Sequence, residues 1–367
     1  MLGTVAVIGG GINGLCIAWE LARRGWQVDL FERERCLAQT SSASTKLLHG
    51  GLRYLEQCHL PLVAESLRER ARWLRDAPQH CHWLQLLLPI HRQRRRPAWQ
   101  WRLGLGLYDG LALGQLPGFA RWLTPAAVAN FQPDLVLEGL QGAWQFWDGQ
   151  MDEQGLGKWV KDQARGAGVM IHEQMPVERV SPKGWLTHAA GTVRFGWLVN
   201  AAGPWAVELL ERSGLATDVR LDLVRGSHLL VPTPARTSLA TTGLFVEVPG
   251  TARIAFLLPY QGELLVGTTE EVQGLEEPIS ASTSERELLV ALVARHLPPW
   301  ADSARHQGRF FAGLRPIVSS HADVSRSSRD AVFRRHGQLI SVFGGKWTTA
   351  RSLANRLAES APFNGQP

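Results

Sequence analysis

The first fourteen residues carry the feature that most constrains how this chain can fold. A short apolar run at residues 5–8 leads into the sequence GGGING, and a helical pattern then continues to Arg24. This order predicts a strand, a tight turn and a helix N-terminus. Gly9 permits the turn, Gly11 lets a pyrophosphate approach the backbone, and Gly14 lets the helix pack on the strand. The unpaired N–H groups at the start of such a helix favour phosphate binding.

A second strand and an acidic residue complete a dinucleotide-binding pattern. Residues 26–31 predict the strand, and Glu32 follows it 18 residues after Gly14. A carboxylate at this position accepts hydrogen bonds from the ribose hydroxyls of an adenosine. We do not expect a signal peptide, because no basic region precedes the apolar run and glycines interrupt it after four residues.

The composition describes a globular chain and excludes several other classes. Of 367 residues, 45% are hydrophobic and 20% are charged, which allows a large buried core and excludes intrinsic disorder. No long uncharged apolar run suggests a spanning helix. The four cysteines form no C-x-x-C pair and no His/Cys metal spacing, so we expect no disulfide, no metal site and a reducing compartment. The net charge of +6 permits an anionic ligand, a lipid surface or nucleic acid without choosing among them.

A hydroxyl-rich segment after the second strand bears on which dinucleotide is bound. Residues 40–54, TSSASTKLLHGGLRY, combine a dense hydroxyl cluster with a glycine pair. Such a loop can wrap around phosphate and ribityl groups, which favours FAD over NAD. Taken alone, the segment is also typical of a plain polar loop.

Two later segments repeat the strand-then-glycine form and support a flavin. Residues 197–205 predict a buried strand that ends in small residues, where the backbone can lie close to a flat ligand. Residues 339–349 predict a strand and a glycine pair, followed by a helix over residues 351–359. We expect the start of that helix to direct its positive end at a second anionic site. A reduced flavin carries negative charge near its pyrimidine edge, which such a helix end would stabilise.

Seven short sequences, in chain order, carry a family resemblance. They are GGGINGLCIAWELARRG, TSSASTKLLHGGLRYLE, NAAGPWA, RGSHLLVP, GLRP, SRD and FGGKWTT. They closely resemble the FAD-dependent glycerol-3-phosphate dehydrogenases, which belong to the D-amino-acid-oxidase-like flavoprotein superfamily. The resemblance extends from residue 5 to about residue 357. Its most specific part is residues 41–56, because superfamily members with amino-acid substrates usually lack that string.

The resemblance implies an α/β fold with two units. A discontinuous Rossmann-like FAD-binding domain would take residues 1–85, 142–220 and 310–367. An α+β substrate or cap domain, built on a mainly antiparallel sheet, would take residues 86–141 and 221–309. Alternating apolar runs at residues 228–231, 254–259 and 263–267 support the second unit. Respiratory members of the family continue into a C-terminal helical domain, which we do not expect here because the sequence ends at Pro367.

The reaction implied by the resemblance is the oxidation of sn-glycerol 3-phosphate to dihydroxyacetone phosphate. A hydride passes to FAD, the hydroxyl proton passes to a base, and a quinone or another acceptor takes the electrons. His49 is our first choice of base and His228 the reserve, because a neutral imidazole can accept a proton near pH 7. Arginine forks suit the phosphate dianion. The residues carried over for catalysis are His49, Arg53, Tyr54, His228, Arg315, Arg329 and Lys346.

The same motifs and the resemblance predict the cofactor site. Without the family match, a histidine beside a glycine pair can simply hold a loop, and a single arginine is by default a surface ion-pair partner. Lys346 is predicted at a helix start, where the dipole disfavours a cation, and this indicates ligand charge nearby. The residues expected to bind FAD are Gly9, Gly11, Ile12, Asn13, Gly14, Glu32, Arg33, Thr40, Ser41, Ser42, Lys46, Leu47, His49, Gly50, Gly51, Val177, Ala201, Ala202, Gly203, Trp205, Gly313, Arg315, Gly345, Lys346, Trp347 and Thr348.

A basic stretch followed by Trp- and Leu-rich sequence predicts a membrane contact. Residues 91–97, HRQRRRP, form the densest positive run, and an apolar pattern continues to residue 113. This suits peripheral docking at an anionic lipid surface, and a solvated loop before a buried helix is the alternative. No RNA or DNA motif accompanies the run, so we expect no nucleic-acid partner. We therefore expect a cytoplasmic protein with peripheral contact at the inner face of the cytoplasmic membrane through residues 91–113.

Two other functions stay open beside oxidation of a small phosphorylated polyol. The first is an FAD-dependent oxidase or dehydrogenase of a small amino acid or 2-hydroxy acid, in which Arg315 would hold a carboxylate. The second is a non-catalytic flavin-binding accessory subunit. Reduction of the bound flavin by one substrate class, or by none, distinguishes the three.

Overall fold

The structure is a computed structural model. It describes residues 2–52, 55, 59–92, 96–112, 114–235, 237, 239–251, 253–319, 331–360 and 362–364. The strands of this part of the chain are β1 (Thr4–Ile8), β2 (Gln27–Phe31), β3 (Leu47–Leu48), β4 (Cys81–His91), β5 (Arg121–Leu123), β6 (Leu140–Met151), β7 (Met170–His172), β8 (Val177–Val180), β9 (Trp185–His188), β10 (Gly191–Arg194), β11 (Trp197–Asn200), β12 (Leu221–Pro232), β13 (Gly243–Glu247), β14 (Ile254–Tyr260), β15 (Glu263–Gly267), β16 (Glu271–Val272), β17 (Arg309–Val318), β18 (Val332–His336) and β19 (Leu339–Phe343). The helices are α1 (Ile12–Arg23), α2 (Leu60–Asp76), α3 (Ala98–Leu111), α4 (Pro125–Phe131), α5 (Glu153–Gly166), α6 (Ala206–Arg212), α7 (Thr283–His296), α8 (Ala301–His306) and α9 (Ala350–Glu359).

A six-stranded sheet in the order β18-β19-β11-β1-β2-β7 forms the first layer. Its strands pair in parallel except for β18, which runs antiparallel to β19. Strand β1 is a nearly continuous run of buried apolar residues, as is typical of a parallel strand covered on both faces. Helices α1, α5 and α9 pack together on one face, and α6 with the small sheet β10-β9-β8 covers the other.

A ten-stranded sheet forms the second layer, in the order β16-β12-β15-β14-β13-β4-β6-β3, with β17 paired to β12 and β5 to β6. Its pairs are antiparallel except for β13 with β4. One face packs on α2 and α3 through Leu67 and Leu105, and the other on α4 and α7 through Val128 and Leu289. The predicted α/β class, with a Rossmann-like part and a mainly antiparallel second sheet, is confirmed.

Three of the predicted domain boundaries need correction. Boundaries at 85/86 and 141/142 would divide β4 and β6, which pair along their whole length, from Cys81 opposite Met151 to His91 opposite Leu140. The boundary at 309/310 falls at the start of β17, which pairs with β12 in the same sheet. Hydrogen-bonded pairing therefore assigns all three strands whole to the second sheet.

The arrangement of the two sheets determines where a ligand can bind. Four strands lie side by side in the order β19-β11-β1-β2 and run parallel to one another. Their carboxyl ends therefore meet at one edge of the first sheet. In open parallel sheets, ligands bind in the crevice outside this edge. Residues of β12 and β17 line the same cavity as the turns that follow those strands.

Candidate active site

A cavity of about 410 Å³ lies between the two sheets, beyond the carboxyl ends of the parallel strands. The turns after β1, β2, β11 and β19 line one side of it. Strands β12 and β17 line another side, and the segment between β2 and β3 closes the space between them. The four motif regions identified in the sequence, the N-terminal glycine turn and residues 40–54, 197–205 and 339–349, therefore all reach the same cavity.

The N-terminal turn is shaped by glycines that no larger residue can replace. Gly9 has φ +105, and a Cβ there would lie 2.5 Å from the carbonyl oxygen of Ala201. A Cβ on Gly14 would lie 1.9 Å from the carbonyl oxygen of Gly9. Helix α1 begins at Ile12, three residues before the predicted start, so the turn is tighter than the sequence pattern indicated. The first turn of α1 thereby faces the cavity directly.

Glu32 holds this turn from the end of β2. Its Oε2 accepts a hydrogen bond from the backbone N–H of Gly10 at 2.6 Å, and its Oε1 accepts one from the N–H of Glu34 at 2.9 Å. The next residue, Arg33, places its guanidinium 3.8 Å from the ring centroid of Trp205. These residues form the end of the cavity where an adenosine is expected.

Residues 40–45 are hydrogen-bonded to β17 and to the turn after β19. The Thr40 hydroxyl donates to the carbonyl of Leu314 at 2.7 Å, and the Trp347 indole N–H donates to the carbonyl of Ser41 at 2.9 Å. The Ser41 hydroxyl accepts from the N–H of Ile12 at 3.0 Å. The hydroxyl-rich segment is therefore a wall of the cavity bonded to three distant parts of the chain.

The glycine turn after β1 and the glycine turn after β19 are in direct contact at the cavity. The Asn13 side-chain amide donates to the carbonyl of Gly344 at 3.3 Å. Gly344 and Gly345 have φ values of +82 and +95, and a Cβ on Gly345 would lie 2.5 Å from Asn13 Nδ2. The buried Oδ1 of Asn13 has no hydrogen-bond partner within the described residues. An acceptor left unsatisfied in this way indicates that a polar ligand group belongs beside it.

His228 is a buried imidazole on the cavity wall. Its Nε2 lies 3.0 Å from the Thr45 hydroxyl, and its ring stacks on Phe311 with centroids 5.0 Å apart. Burial lowers the pKa of His228 well below its ordinary value, and the positive charges of Lys46 and Arg315 lower it further. The imidazole is therefore neutral near pH 7 and able to accept a proton.

Arg315 supplies a cation on the same wall. Its Nη2 donates to the carbonyl of Thr269 at 3.1 Å, and its Nη1 lies 3.9 Å from Glu270. Lys346 lines the same cavity, in the turn after β19. Helix α9 begins at Ala350, so the prediction that Lys346 stands at the helix start is wrong, because a turn over residues 347–349 intervenes.

Most of the predicted site residues line this cavity. They are Gly9, Gly11, Ile12, Asn13, Glu32, Arg33, Thr40, Ser41, Leu47, His49, Val177, Ala201, Ala202, Gly203, Trp205, His228, Gly313, Arg315, Gly345, Lys346, Trp347 and Thr348. Their individual roles toward a cofactor or substrate stay predictions. Arg53, Tyr54 and Arg329 lie outside the described residues.

Five predicted cofactor residues do not line the cavity. Gly14 lies in the first turn of α1, close to the Gly9 carbonyl, and Gly51 has φ +80. The Ser42 hydroxyl donates to backbone carbonyls of its own loop. The Gly50 N–H donates to the Tyr108 hydroxyl and to Asp148 on the side away from the cavity. Lys46 also lies outside the cavity lining, and its Nζ forms a buried ion pair with Glu153.

The sequence reasoning missed several lining residues. Thr45 lies in the hydroxyl cluster but was not singled out, and its contact with His228 depends on a strand far along the chain. Gly226, inside the quoted motif RGSHLLVP, and Thr268, directly after the apolar run 263–267, also line the cavity. Within the described part of the chain, no group of three or more His, Cys, Asp or Glu side chains could hold a metal ion.

Comparison with known proteins identifies the family. The family model of FAD dependent oxidoreductases matches residues 4–359. The chain belongs to this family. It is an oxidoreductase, and its cofactor is FAD.

Individual relatives agree with this assignment. Glycerol-3-phosphate dehydrogenase of Pseudomonas tolaasii is 34% identical, over 98% of this chain and 71% of its own length. D-erythritol 1-phosphate dehydrogenase of Brucella abortus is 35% identical, over 95% of this chain and 72% of its own length. Among solved structures, glycerol-3-phosphate dehydrogenase of Bacillus halodurans complexed with FAD has a TM-score of 0.75 and 25% identity, over 97% of this chain and 64% of that chain.

The residues of the cavity fit FAD. The unsatisfied Oδ1 of Asn13 and the glycine turns without room for a Cβ are the features expected around a closely bound dinucleotide. The turn after β1 would hold the pyrophosphate and Glu32 the ribose. Residues 40–45 and the turn after β19 would enclose the remainder of this flavoprotein's cofactor.

Proposed function

We propose that this oxidoreductase converts sn-glycerol 3-phosphate to dihydroxyacetone phosphate. The substrate carbon loses a hydride, the hydroxyl loses its proton to a base of the chain, and a carbonyl double bond forms. When bound, FAD supplies the hydride acceptor. The remaining requirements, a proton acceptor and a cation for the phosphate, fall to residues of the chain.

One observation carries this proposal: a neutral imidazole and a guanidinium open onto the same cavity wall. His228 and Arg315 lie on the adjacent strands β12 and β17, so their spacing is fixed by the sheet. His228 suits the base because it is buried and neutral, and His49, which also lines the cavity, is the second candidate. Arg315 suits the phosphate because a guanidinium forms charge-assisted hydrogen bonds to it. The two curated relatives are named for small phosphorylated polyols, which supports the same substrate class.

The visible spectrum of the purified holoenzyme tests the proposal. Under anaerobic conditions, glycerol 3-phosphate should bleach the flavin absorbance, whereas glycerol, which lacks the phosphate, should not. Bleaching by an amino acid or 2-hydroxy acid instead would assign the alternative substrate class. Bleaching by dithionite alone would indicate an accessory flavoprotein and refute the proposal.

Replacement of Arg315 by methionine tests the phosphate contact. We expect KM for glycerol 3-phosphate to rise roughly 10- to 100-fold with little change in bound FAD, because one hydrogen bond to a charged group contributes ~1.5–3 kcal/mol. Steady-state kinetics measure the change. The control is Arg334→Met, which removes an exposed arginine that pairs with Asp218 outside the cavity. An unchanged KM in Arg315→Met would place the phosphate elsewhere.

A second substrate has a specific observation in its favour. The D-erythritol 1-phosphate dehydrogenase of Brucella abortus is as similar to this chain as the glycerol-3-phosphate dehydrogenase relative is. The ratio of kcat/KM for D-erythritol 1-phosphate to kcat/KM for glycerol 3-phosphate decides between them. A ratio above one would assign the longer polyol as the substrate.

Helix α3 carries the observation behind a proposed contact with an anionic lipid surface. Trp99, Leu103 and Leu107 are spaced by four residues on one helix face and are 64%, 65% and 42% exposed. Arg102 on the same helix and Arg92, directly after β4, are also exposed. An apolar helix face with flanking cations suits the boundary between lipid headgroups and acyl chains. Within the described residues, no helix is long and apolar enough to span a bilayer.

One arginine of the basic run is not available to this surface. Residues 93–95 and 113 lie outside the described residues. Arg96 is buried and donates to Glu247 at 2.8 Å, so it is not available to lipid. The proposed contact therefore rests on the exposed face of α3 and its flanking arginines.

Co-sedimentation with vesicles tests the lipid contact. The triple variant Trp99→Gln/Leu103→Gln/Leu107→Gln should lose binding to vesicles that contain phosphatidylglycerol, and wild type should bind neutral phosphatidylcholine vesicles weakly. A matched control is Met170→Gln/Val272→Gln, which replaces exposed apolar residues on other elements. Equal partitioning of the triple variant and wild type would refute the contact.

We also propose that a quinone accepts the electrons. Substrate-dependent reduction of a short-chain ubiquinone tests this, and consumption of oxygen alone would refute it.

A further inference from the structure

Lys46 lies in a buried contact network that the glycine motifs do not explain. Its backbone has φ +59, a conformation that residues with a Cβ rarely adopt. Its side chain is 8% exposed and its Nζ pairs with Glu153, the first residue of α5, whose side chain is 1% exposed. Burying two opposite charges is costly, and the pair alone is weak evidence of stability. Its contacts therefore need another explanation.

The pair holds the segment from Ser42 to Lys46 from behind. Lys46 Nζ donates to the carbonyl of Ser42 at 2.9 Å, and Glu153 Oε1 accepts from the N–H of Ser44 at 3.1 Å. The Ser44 hydroxyl accepts from the N–H of Lys46 at 3.0 Å. Because Ser44 and Thr45 line the cavity, these contacts fix the wall from the side that faces the protein interior.

Two contacts extend from this segment to the imidazole of His228. The Thr45 hydroxyl lies 3.0 Å from His228 Nε2. Lys46 Nζ lies 5.0 Å from the ring centroid of Phe311, which stacks on the imidazole with an interplanar angle of 11°. On β15, a Cβ at Gly267 would lie 2.3 Å from the imidazole Cδ2, so the ring is also closely packed there. A displacement of the segment would therefore move the hydroxyl that orients the imidazole.

We propose that Lys46 and Glu153 form a positioning pair. The pair contacts neither substrate nor cofactor; it holds Thr45 against His228 and fixes the wall formed by residues 42–46. This inference rests on the proposed function, because it takes the cavity as the place where FAD and substrate meet. It assigns a role to Lys46, which the sequence predicted at the cofactor, and to Glu153, for which the sequence predicted no role.

The double variant Lys46→Met/Glu153→Met tests the pair. Replacing both charges by unbranched apolar side chains avoids leaving one charge buried alone, and such replacements are often neutral for stability. We expect a melting temperature close to that of wild type. The dissociation constant for FAD should rise about tenfold, as for the loss of a net ~1.4 kcal/mol. The rate of flavin bleaching by glycerol 3-phosphate should fall roughly 10- to 100-fold, with KM nearly unchanged, because misplacement of reacting groups lowers rate rather than binding.

Two further variants separate positioning from general structure. Lys46→Arg keeps the charge and should retain most of the bleaching rate. Lys158→Ala/Asp162→Ala removes an exposed ion pair one turn along the same helix α5 and should change neither rate nor FAD affinity. Loss of activity in this control would show that any change in α5 has the same effect, which would overturn the proposal.

The outcomes separate this inference from the proposed function. If the double variant keeps the FAD dissociation constant and bleaching rate within about twofold of wild type, the pair is not a positioning device. If wild type is not bleached by glycerol 3-phosphate, the proposed substrate fails, and the FAD dissociation constant alone decides the role of the pair. If the double variant does not fold, Thr45→Val decides instead. For this variant, a bleaching rate of about one fifth of the wild-type rate or lower would support the inference, and an unchanged rate would overturn it.

Discussion

Replacing Asp148 by alanine tests how much the buried Arg70–Asp148 pair, which also contacts the His49–Gly50 turn, stabilises the fold. Asp148 Oδ1 accepts hydrogen bonds from Arg70 Nη1 at 2.7 Å and from the N–H of Gly50 at 3.1 Å. The Tyr108 hydroxyl accepts from the same two donors, at 2.7 Å and 3.2 Å. Because Arg70 is 0% exposed, the alanine variant leaves its guanidinium buried without an ion-pair partner among the described residues.

The expected loss follows from that uncompensated charge. Removing one partner of a buried ion pair destabilises a protein by ~3–5 kcal/mol, a large fraction of a total of roughly 5–15 kcal/mol. Asp148→Asn separates charge from hydrogen bonding, because the asparagine oxygen still accepts from Gly50. If charge dominates, the asparagine variant should lose nearly as much stability as the alanine variant does.

Urea unfolding of the holoenzyme, followed by tryptophan fluorescence, measures the effect as a shift in midpoint. The matched control is Asp218→Ala, which removes another carboxylate bonded to an arginine at 2.8 Å, but on the exposed surface. Exposed ion pairs contribute little, so this control should unfold at the wild-type midpoint. Equal midpoints for Asp148→Ala and Asp218→Ala would refute the argument that burial makes loss of the Arg70–Asp148 pair more destabilising than loss of an exposed pair.

Two further predictions concern the glycine turn and the imidazole. Gly9→Ala should abolish FAD retention on gel filtration, because φ +105 and a 2.5 Å approach to the Ala201 carbonyl leave no place for a Cβ; retention of yellow protein would contradict it. The depressed pKa of His228 means that folding favours its neutral form, so stability present above the ordinary pKa is lost as the pH falls below it. His228→Gln should therefore show a smaller fall in melting temperature below about pH 6.5, and an identical fall would contradict this.

The part of the site formed by residues 5–32 was predictable because the features that define it lie within one short segment. A run of buried residues, glycines at fixed spacing and a carboxylate after the next strand determine one another within residues 5–32. The structure brings the turn after β19 into contact with this region through Asn13 and Gly344. Resemblance to a family made that second turn recognisable, whereas its spacing in the sequence carries no information about the contact.

Features that depend on distant partners were not predictable in this way. Lys46 stands in a motif that faces the cavity, yet a left-handed backbone at this one residue turns its side chain toward Glu153, 107 residues further along the chain. Arg96 belongs to the densest positive run but is buried against Glu247. In both cases the partner carboxylate, which the local sequence does not reveal, decides the direction of the side chain.

A pair of glycines in the second sheet shows how such long-range placement shapes the site. Gly226 on β12 lies directly opposite Gly313 on β17. A Cβ on Gly226 would lie 3.0 Å from Arg315 Nη2, and a Cβ on Gly313 would lie 2.7 Å from the Cβ of Ala43. The missing side chains therefore let the guanidinium fold over one strand and let the hydroxyl-rich wall approach the other.

The two glycines should consequently have different effects when replaced. Gly226→Ala brings a Cβ to 2.6 Å from the Thr268 hydroxyl and 3.0 Å from the Arg315 guanidinium, and the resulting shift of these groups should raise KM for glycerol 3-phosphate while FAD stays bound. Gly313→Ala pushes back the wall at Ala43 and should weaken FAD instead, because the contact of 2.7 Å cannot be accommodated without movement. Titration of the apoprotein with FAD and steady-state kinetics separate the two effects. If both variants raised KM alone, the wall at residues 40–45 would belong to the substrate rather than to the cofactor.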